Sequence, residues 1–254
     1  MERAGSVSSG RTDAAVGRSR DGRAYAKTAS GTAARAQLAD ERDRLLWLAT
    51  TDLPAPEVLD WTDDGETATL TTAVVPGVAL SELPASSVAA AATAWGRFLR
   101  RLHRVEREGC PFERWLVVTV PLARVNVDLG LVAEDDFDDE RAGRSAEDLL
   151  LELLEQRPRA EELETGDLVV CHGDACLPNF LVDPDTFEVT GMVDVGRLGI
   201  ADRHLDLALA VRSVSDTRLN PAYGPGAAAL VLAAYGLPAD PWRLDFYRLL
   251  DEFF

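Results

Sequence analysis

Apolar residues recur along this chain with two periods, and the changes of period mark its elements. Residues 5–27 read as short strands joined by turns, with Arg20-Asp21-Gly22-Arg23 as a hairpin corner. Over residues 32–50 the period becomes helical, placing Leu38, Glu41, Leu45 and Leu48 on one face. Leu53-Pro54-Ala55-Pro56 stops that helix, and residues 58–61 and 67–75 read as strands turned by Asp63-Asp64-Gly65. Val75-Pro76-Gly77-Val78 reads as a linker that divides residues 1–76 from residues 77–254. An Ala-rich amphipathic helix is expected over residues 85–105, with Trp95, Phe98, Leu99 and Leu102 on its core side and His103 packed or at the surface. Further helices are expected over residues 121–132, 145–156, 201–214 and the terminal stretch 241–254.

The stretch from Val169 to Asp194 breaks this rhythm. An apolar run feeds a tight His172-Gly173-Asp174 corner, and Pro184-Asp185-Thr186 then turns two apolar segments into a hairpin. Asn179 and Asp194 are about equally far from the turn, so pairing is expected to bring a carboxamide and a carboxylate together at the open end, next to Asp174. Convergent oxygens of this kind suit Mg²⁺ with a nucleotide, because Mg²⁺ takes few protein ligands and completes its octahedron with phosphate and water.

Three upstream features change what that hairpin can mean. A carboxylate on an apolar stripe, as Glu41 is, is costly unless paired. Lys27 is the candidate partner, and a Lys–Glu pair between strand and helix orients nucleotide phosphates in protein-kinase-like enzymes; the alternative is a surface glutamate at the edge of the stripe. The polar loop at residues 8–13, with the Thr12 hydroxyl, could cover phosphates, although it carries no GxGxxG. If residues 1–76 form a nucleotide lobe, the backbone from Ala73 to Val75 is where an adenine edge would be hydrogen-bonded.

Composition narrows the partners. The net charge of −17 disfavours nucleic acid and favours a cationic ligand. Residues 134–140 hold six carboxylates in seven positions, a solvated loop in most chains and a binding rim if the substrate is a polycation. Of 26 basic residues Lys27 is the only lysine, which marks a place for a point charge rather than a planar fork. No run approaches a membrane span, no secretory signal is seen, and three cysteines without CxxC spacing suit a reducing cytoplasm. Asp206 falls on the apolar side of its helix, where a buried carboxylate would hold the loop at residues 172–179 by accepting backbone N–H bonds.

Val169 through Asn179 and Asp194 through Arg203 resemble the catalytic and metal motifs of the aminoglycoside phosphotransferases, and similarity extends through residues 41–48, Gly130-Leu131-Val132, residues 140–143 and the terminal Leu249–Phe254. The resemblance looks closest to the 3′ branch, which acts on kanamycin- and neomycin-type drugs. It implies an α+β, bilobal protein-kinase-like fold with a small β-rich N-lobe and a larger, mainly helical C-lobe. It implies Asp174 as catalytic carboxylate, Asn179 and Asp194 as Mg²⁺ ligands, and Lys27, Glu41, Thr12, Ala73 and Val75 around ATP or GTP. A cationic aminoglycoside would be held by Asp138, Asp139, Glu140, Arg197, Asp216, Glu252 and the Phe254 terminus, with Asp206 and His172 in structural roles. The nucleotide loop departs from the family's usual Gly-Glu-Ser-Gly at two positions of Gly10-Arg11-Thr12-Asp13. A monomer or weak dimer is expected. The rival readings are a kinase of the same fold with another acceptor, such as streptomycin at its 3″ hydroxyl, a non-catalytic nucleotide- or drug-binding relative, and a metal-dependent phosphohydrolase.

Overall fold

The computed structural model describes residues 14–254, so Thr12 and its loop lie outside the described residues. The elements run β1 (Ala14–Arg18), β2 (Ala24–Ser30), α1 (Thr32–Leu48), β3 (Val58–Asp63), β4 (Thr67–Ala73), β5 (Val78–Ala79), α2 (Val88–Leu102), α3 (Leu116–Asp128), α4 (Ala146–Glu164), β6 (Leu168–Cys171), β7 (Phe180–Val182), β8 (Val189–Met192), β9 (Gly199–Asp202), α5 (His204–Ser215), α6 (Pro225–Tyr235) and α7 (Pro241–Asp251). They sort into two units, Met1–Glu82 with Pro178–Arg197, and Leu83–Leu177 with Leu198–Phe254. The central motif is thereby shared: Asp174 belongs to the second unit, Asn179 and Asp194 to the first. The architecture is α+β, a β-rich unit and a mainly helical one.

In the first unit an antiparallel sheet runs β1-β2-β4-β3. Leu38, Leu45 and Leu48 of α1 are buried as their spacing requires, with Ala29, Ala68 and Leu70 contributed by the sheet. A second sheet, β5-β7-β8, joins the predicted linker to the predicted hairpin, because Val78 and Ala79 pair with Val182 and Leu181. Val75, three residues before β5, leaves no room on the hairpin: a Cβ on Gly191 would sit 2.4 Å from Val75 Cγ1.

The helical unit is built around α2, α5 and α6. Trp95, Phe98, Leu99 and Leu102 are buried as predicted. Gly96 lets α6 approach so closely that a Cβ there would lie 2.3 Å from the Val231 carbonyl oxygen. Three boundaries differ from expectation. Helix α3 begins at Leu116 rather than 121 and carries Pro121 within it; the Leu116 N–H is satisfied by the Glu164 carboxylate at 3.1 and 3.3 Å. Helix α4 continues through Pro158 to Glu164 instead of ending near 156. Residues 199–202 form no helix: they pair antiparallel with β6, Cys171 opposite Gly199, and α5 starts at His204. Among the described residues no helix is long and apolar enough to cross a membrane.

Candidate active site

The hairpin closes as its pattern requires. Phe180 pairs with Met192, and the Val193 N–H donates to the Asn179 carbonyl oxygen at 2.9 Å, so the residues bearing the carboxamide and the carboxylate end up side by side. The Asp183 carboxylate holds the turn by accepting the N–H groups of Asp185 and Thr186. The return strand begins at Val189, two residues later than Phe187, which takes a left-handed backbone. Asp194 is also left-handed, at φ 58°, a conformation that costs a non-glycine residue about 1 kcal/mol and concentrates at functional positions.

Lys27 on β2 donates to Glu41 Oε2 of α1 at 2.8 Å and to Asp194 Oδ1 at 2.9 Å. The stripe-bound glutamate is therefore paired, and the only lysine joins sheet, helix and hairpin through two carboxylates. Burial alone would lower the Lys27 ammonium, but the charges of Glu41 and Asp194 outweigh it and raise its pKa. Lys27 is cationic at any working pH. Asn179 and Asp194 supply a carboxamide and a carboxylate, hard oxygen donors of the kind Mg²⁺ prefers, and two protein ligands suffice for it. Of the adenine candidates, the Ala73 N–H donates to Glu57 O and the Val74 N–H to Arg23 O, while Val75 packs on Gly191.

In the helical unit the loop bearing Asp174 hangs from Asp206. This wholly buried carboxylate accepts the His172 N–H at 2.7 Å and the Gly173 N–H at 2.9 Å. His103 Nε2 donates to the same carboxylate at 3.0 Å, while its Nδ1 lies 2.9 Å from the Tyr235 hydroxyl. Burial alone would raise the Asp206 carboxyl, yet the hydrogen bond and charge of His103 and the Gly173 N–H hold it below the usual range. The Asp174 N–H donates to His172 Nδ1 at 3.2 Å, and the Cys176 thiol to Asp174 Oδ1 at 3.2 Å. Burial, then the Asp174 charge, push that thiol well up, so it stays protonated and able to donate. His103, Tyr235 and Cys176 were not singled out in the sequence as site residues. His103 did carry a signal, continuing the i, i+4 series of Trp95 and Leu99 on the buried face of α2.

Four of the expected substrate carboxylates meet in one cleft of about 250 Å³ in the helical unit, formed by Asp138, Asp139, Glu140 and Asp216 with Arg212, Arg218 and Arg248. Arg212 is anchored on Asp251 at 2.7 Å, and its charge reaches Cys176 beside Asp174. Arg248 lies 2.9 Å from both Glu140 and Asp245. Burial raises Asp138 above the usual carboxylate range against the pull of Arg212, and its Oδ2 is shielded with no hydrogen-bond partner among the described residues. Glu252 stands behind the cleft, buried, its carboxylate accepting the Asp138 N–H at 3.2 Å; burial and Asp138 push it up to about 7. Phe254 stacks under the Arg114 guanidinium, and Arg197 ends a short turn at residues 195–197 in the other unit. Neither lines the cleft.

A model of the phosphotransferase enzyme family matches residues 6–247. An aminoglycoside 3′-phosphotransferase of Streptomyces fradiae is 46% identical over 85% of this chain and 80% of its own. A solved aminoglycoside 3′-phosphotransferase of type VIII superposes with a TM-score of 0.87 at 41% identity, covering 100% of this chain and 92% of that one. The aminoglycoside phosphotransferase APH(3″)-Id of Streptomyces rimosus, solved with ADP and streptomycin, gives 0.83 at 38% identity, over 94% and 90%.

Proposed function

This chain belongs to the phosphotransferase enzyme family, and from that premise we propose that it transfers the γ-phosphoryl group of ATP or GTP to a hydroxyl of an aminoglycoside, the 3′ hydroxyl of kanamycin- and neomycin-type drugs. The observation that carries the reading is Lys27, whose ammonium is gripped by Glu41 and Asp194 at 2.8 and 2.9 Å. A lysine so fixed presents a permanent positive charge to phosphate oxygens, and such a device has no use in a phosphohydrolase built on carboxylates alone.

Phosphoryl transfer of this kind proceeds through a loose transition state, so alignment and charge stabilisation supply most of the rate. Lys27 would take the α- and β-phosphates. Asn179 and Asp194 would hold Mg²⁺, which when bound would neutralise charge on the phosphates. Asp174 would orient the acceptor hydroxyl and accept its proton. For a base in this role, proximity to the hydroxyl matters most. Asp206 fixes the loop that presents Asp174. The acidic cleft would draw in an ammonium-rich drug and hold it by charge-assisted hydrogen bonds. Glu252, bonded to the Asp138 backbone, would act by shaping that rim.

Similarity to both 3′- and 3″-type enzymes keeps streptomycin as the second acceptor to try. The test is incubation with Mg-ATP or Mg-GTP and kanamycin, neomycin or streptomycin, following release of nucleoside diphosphate. Drug-dependent release with kanamycin or neomycin is expected. Release with none of the three would sink the reading, and release with streptomycin alone would move the acceptor to the 3″ type.

A further inference from the structure

The acidic cleft already contains a cation of its own. Arg218 donates through Nη1 to Asp139 Oδ1 at 2.7 Å, across 79 residues of sequence, and through Nε and Nη2 to the two oxygens of Asp216 at 3.4 and 3.3 Å. Two of the four carboxylates that line the cleft are thereby satisfied by one guanidinium. Arg218 differs from the other two arginines in how it is held. The side chains of Arg212 and Arg248 are 29% and 25% exposed, and each is also tied to a carboxylate of α7. Arg218 is 65% exposed; its partner Asp139 is 77% exposed and its partner Asp216 18%, and among the described residues it has no ion pair to α7.

We propose that Arg218 is a specificity-determining residue that competes with the cationic substrate for Asp139 and Asp216. This rests on reading the cleft as the aminoglycoside site. An ammonium group entering the cleft must displace the guanidinium from these carboxylates and then endure its charge nearby. Both steps weaken binding, most for drugs with many ammonium groups. Displacement from Asp139 is cheap because that pair is exposed on both sides and exposed ion pairs are weak, whereas the bridge to the less exposed Asp216 is the firmer of the two. Without Arg218 the lining would oppose four carboxylates with two guanidiniums instead of three, which strengthens the attraction and its sensitivity to salt.

The experiment compares wild type, Arg218→Ala and Arg218→Gln by KM for neomycin and kanamycin at low and high salt, with KM for nucleotide measured alongside. The expected result is a fall in drug KM of about two- to fivefold in both variants. The fall should be larger at low salt and larger for neomycin, without a matching change in nucleotide KM. An unchanged or raised drug KM in Arg218→Ala, with wild type turning over drug, overturns the role of Arg218 alone. A raised KM in Arg218→Ala that Arg218→Gln restores does the same, since it would make the bridge an ordering device for the loop. No drug turnover by wild type overturns the functional reading itself.

Discussion

Removing the Asp206 carboxylate should open the loop that carries Asp174. In Asp206→Ala three buried donors lose their acceptor together: the N–H groups of His172 and Gly173, bonded at 2.7 and 2.9 Å, and His103 Nε2 at 3.0 Å. Each unsatisfied buried donor costs roughly 1–3 kcal/mol, so three left together cost about 3 kcal/mol or more. The residue is wholly buried, so solvent screening does not dilute the figure. The suitable assay is native-state hydrogen exchange at the β6 amides, because it reports opening locally in a chain of two units. Their exchange should accelerate by about a hundredfold or more, since 1.4 kcal/mol is a factor of ten. His103→Ala should reproduce part of the effect, and the double variant should cost less than the sum of the two. An acceleration below about fivefold would refute the idea that Asp206 suspends the loop.

Two further outcomes follow from the helical unit. Burial pushes Glu164 up to about 7 from 4.5, against the pull of the Leu116 N–H. The fold thus favours the protonated form, and this contribution to stability is whole below pH 4.5 and is lost as pH rises through 7. Thermal unfolding across that window should show a decline in wild type that is shallower in Glu164→Gln, with Glu252 and Asp138 contributing to the remaining slope; identical slopes would remove Glu164 from this role. Gly96→Ala should destabilise by about 1–3 kcal/mol through the clash with the Val231 carbonyl, read as a lower urea midpoint, and an unchanged midpoint would show that α2 and α6 can separate without cost.

What could be read from the chain beforehand was what local pattern dictates. The α1 and α2 stripes, the hairpin that juxtaposes Asn179 and Asp194, and the burial of Asp206 all follow from spacing and turn chemistry. The missed boundaries depend on distant partners. Helix α3 starts before Pro121 because Glu164, 48 residues on, satisfies the Leu116 N–H. Residues 199–202 become a strand because Leu168–Cys171 lies beside them. Helix α4 runs through Pro158, past its expected end near residue 156, since a proline inside a helix removes only one hydrogen bond and is tolerated where packing compensates. Within the site, the residue types of the acidic rim were legible, but the arginines that neutralise it were not. A run of carboxylates announces its charge, whereas the counter-ions Arg212, Arg218 and Arg248 are scattered through a chain in which arginine is common.

The central claim is that this chain moves a phosphoryl group to an aminoglycoside hydroxyl positioned by Asp174. Its most direct test is drug-dependent release of nucleoside diphosphate by wild type and Asp174→Asn, with calorimetric drug binding measured on both. The account predicts turnover in wild type, a loss of about a hundredfold or more in the variant, and drug affinity largely kept. Turnover by Asp174→Asn within a few-fold of wild type would contradict it.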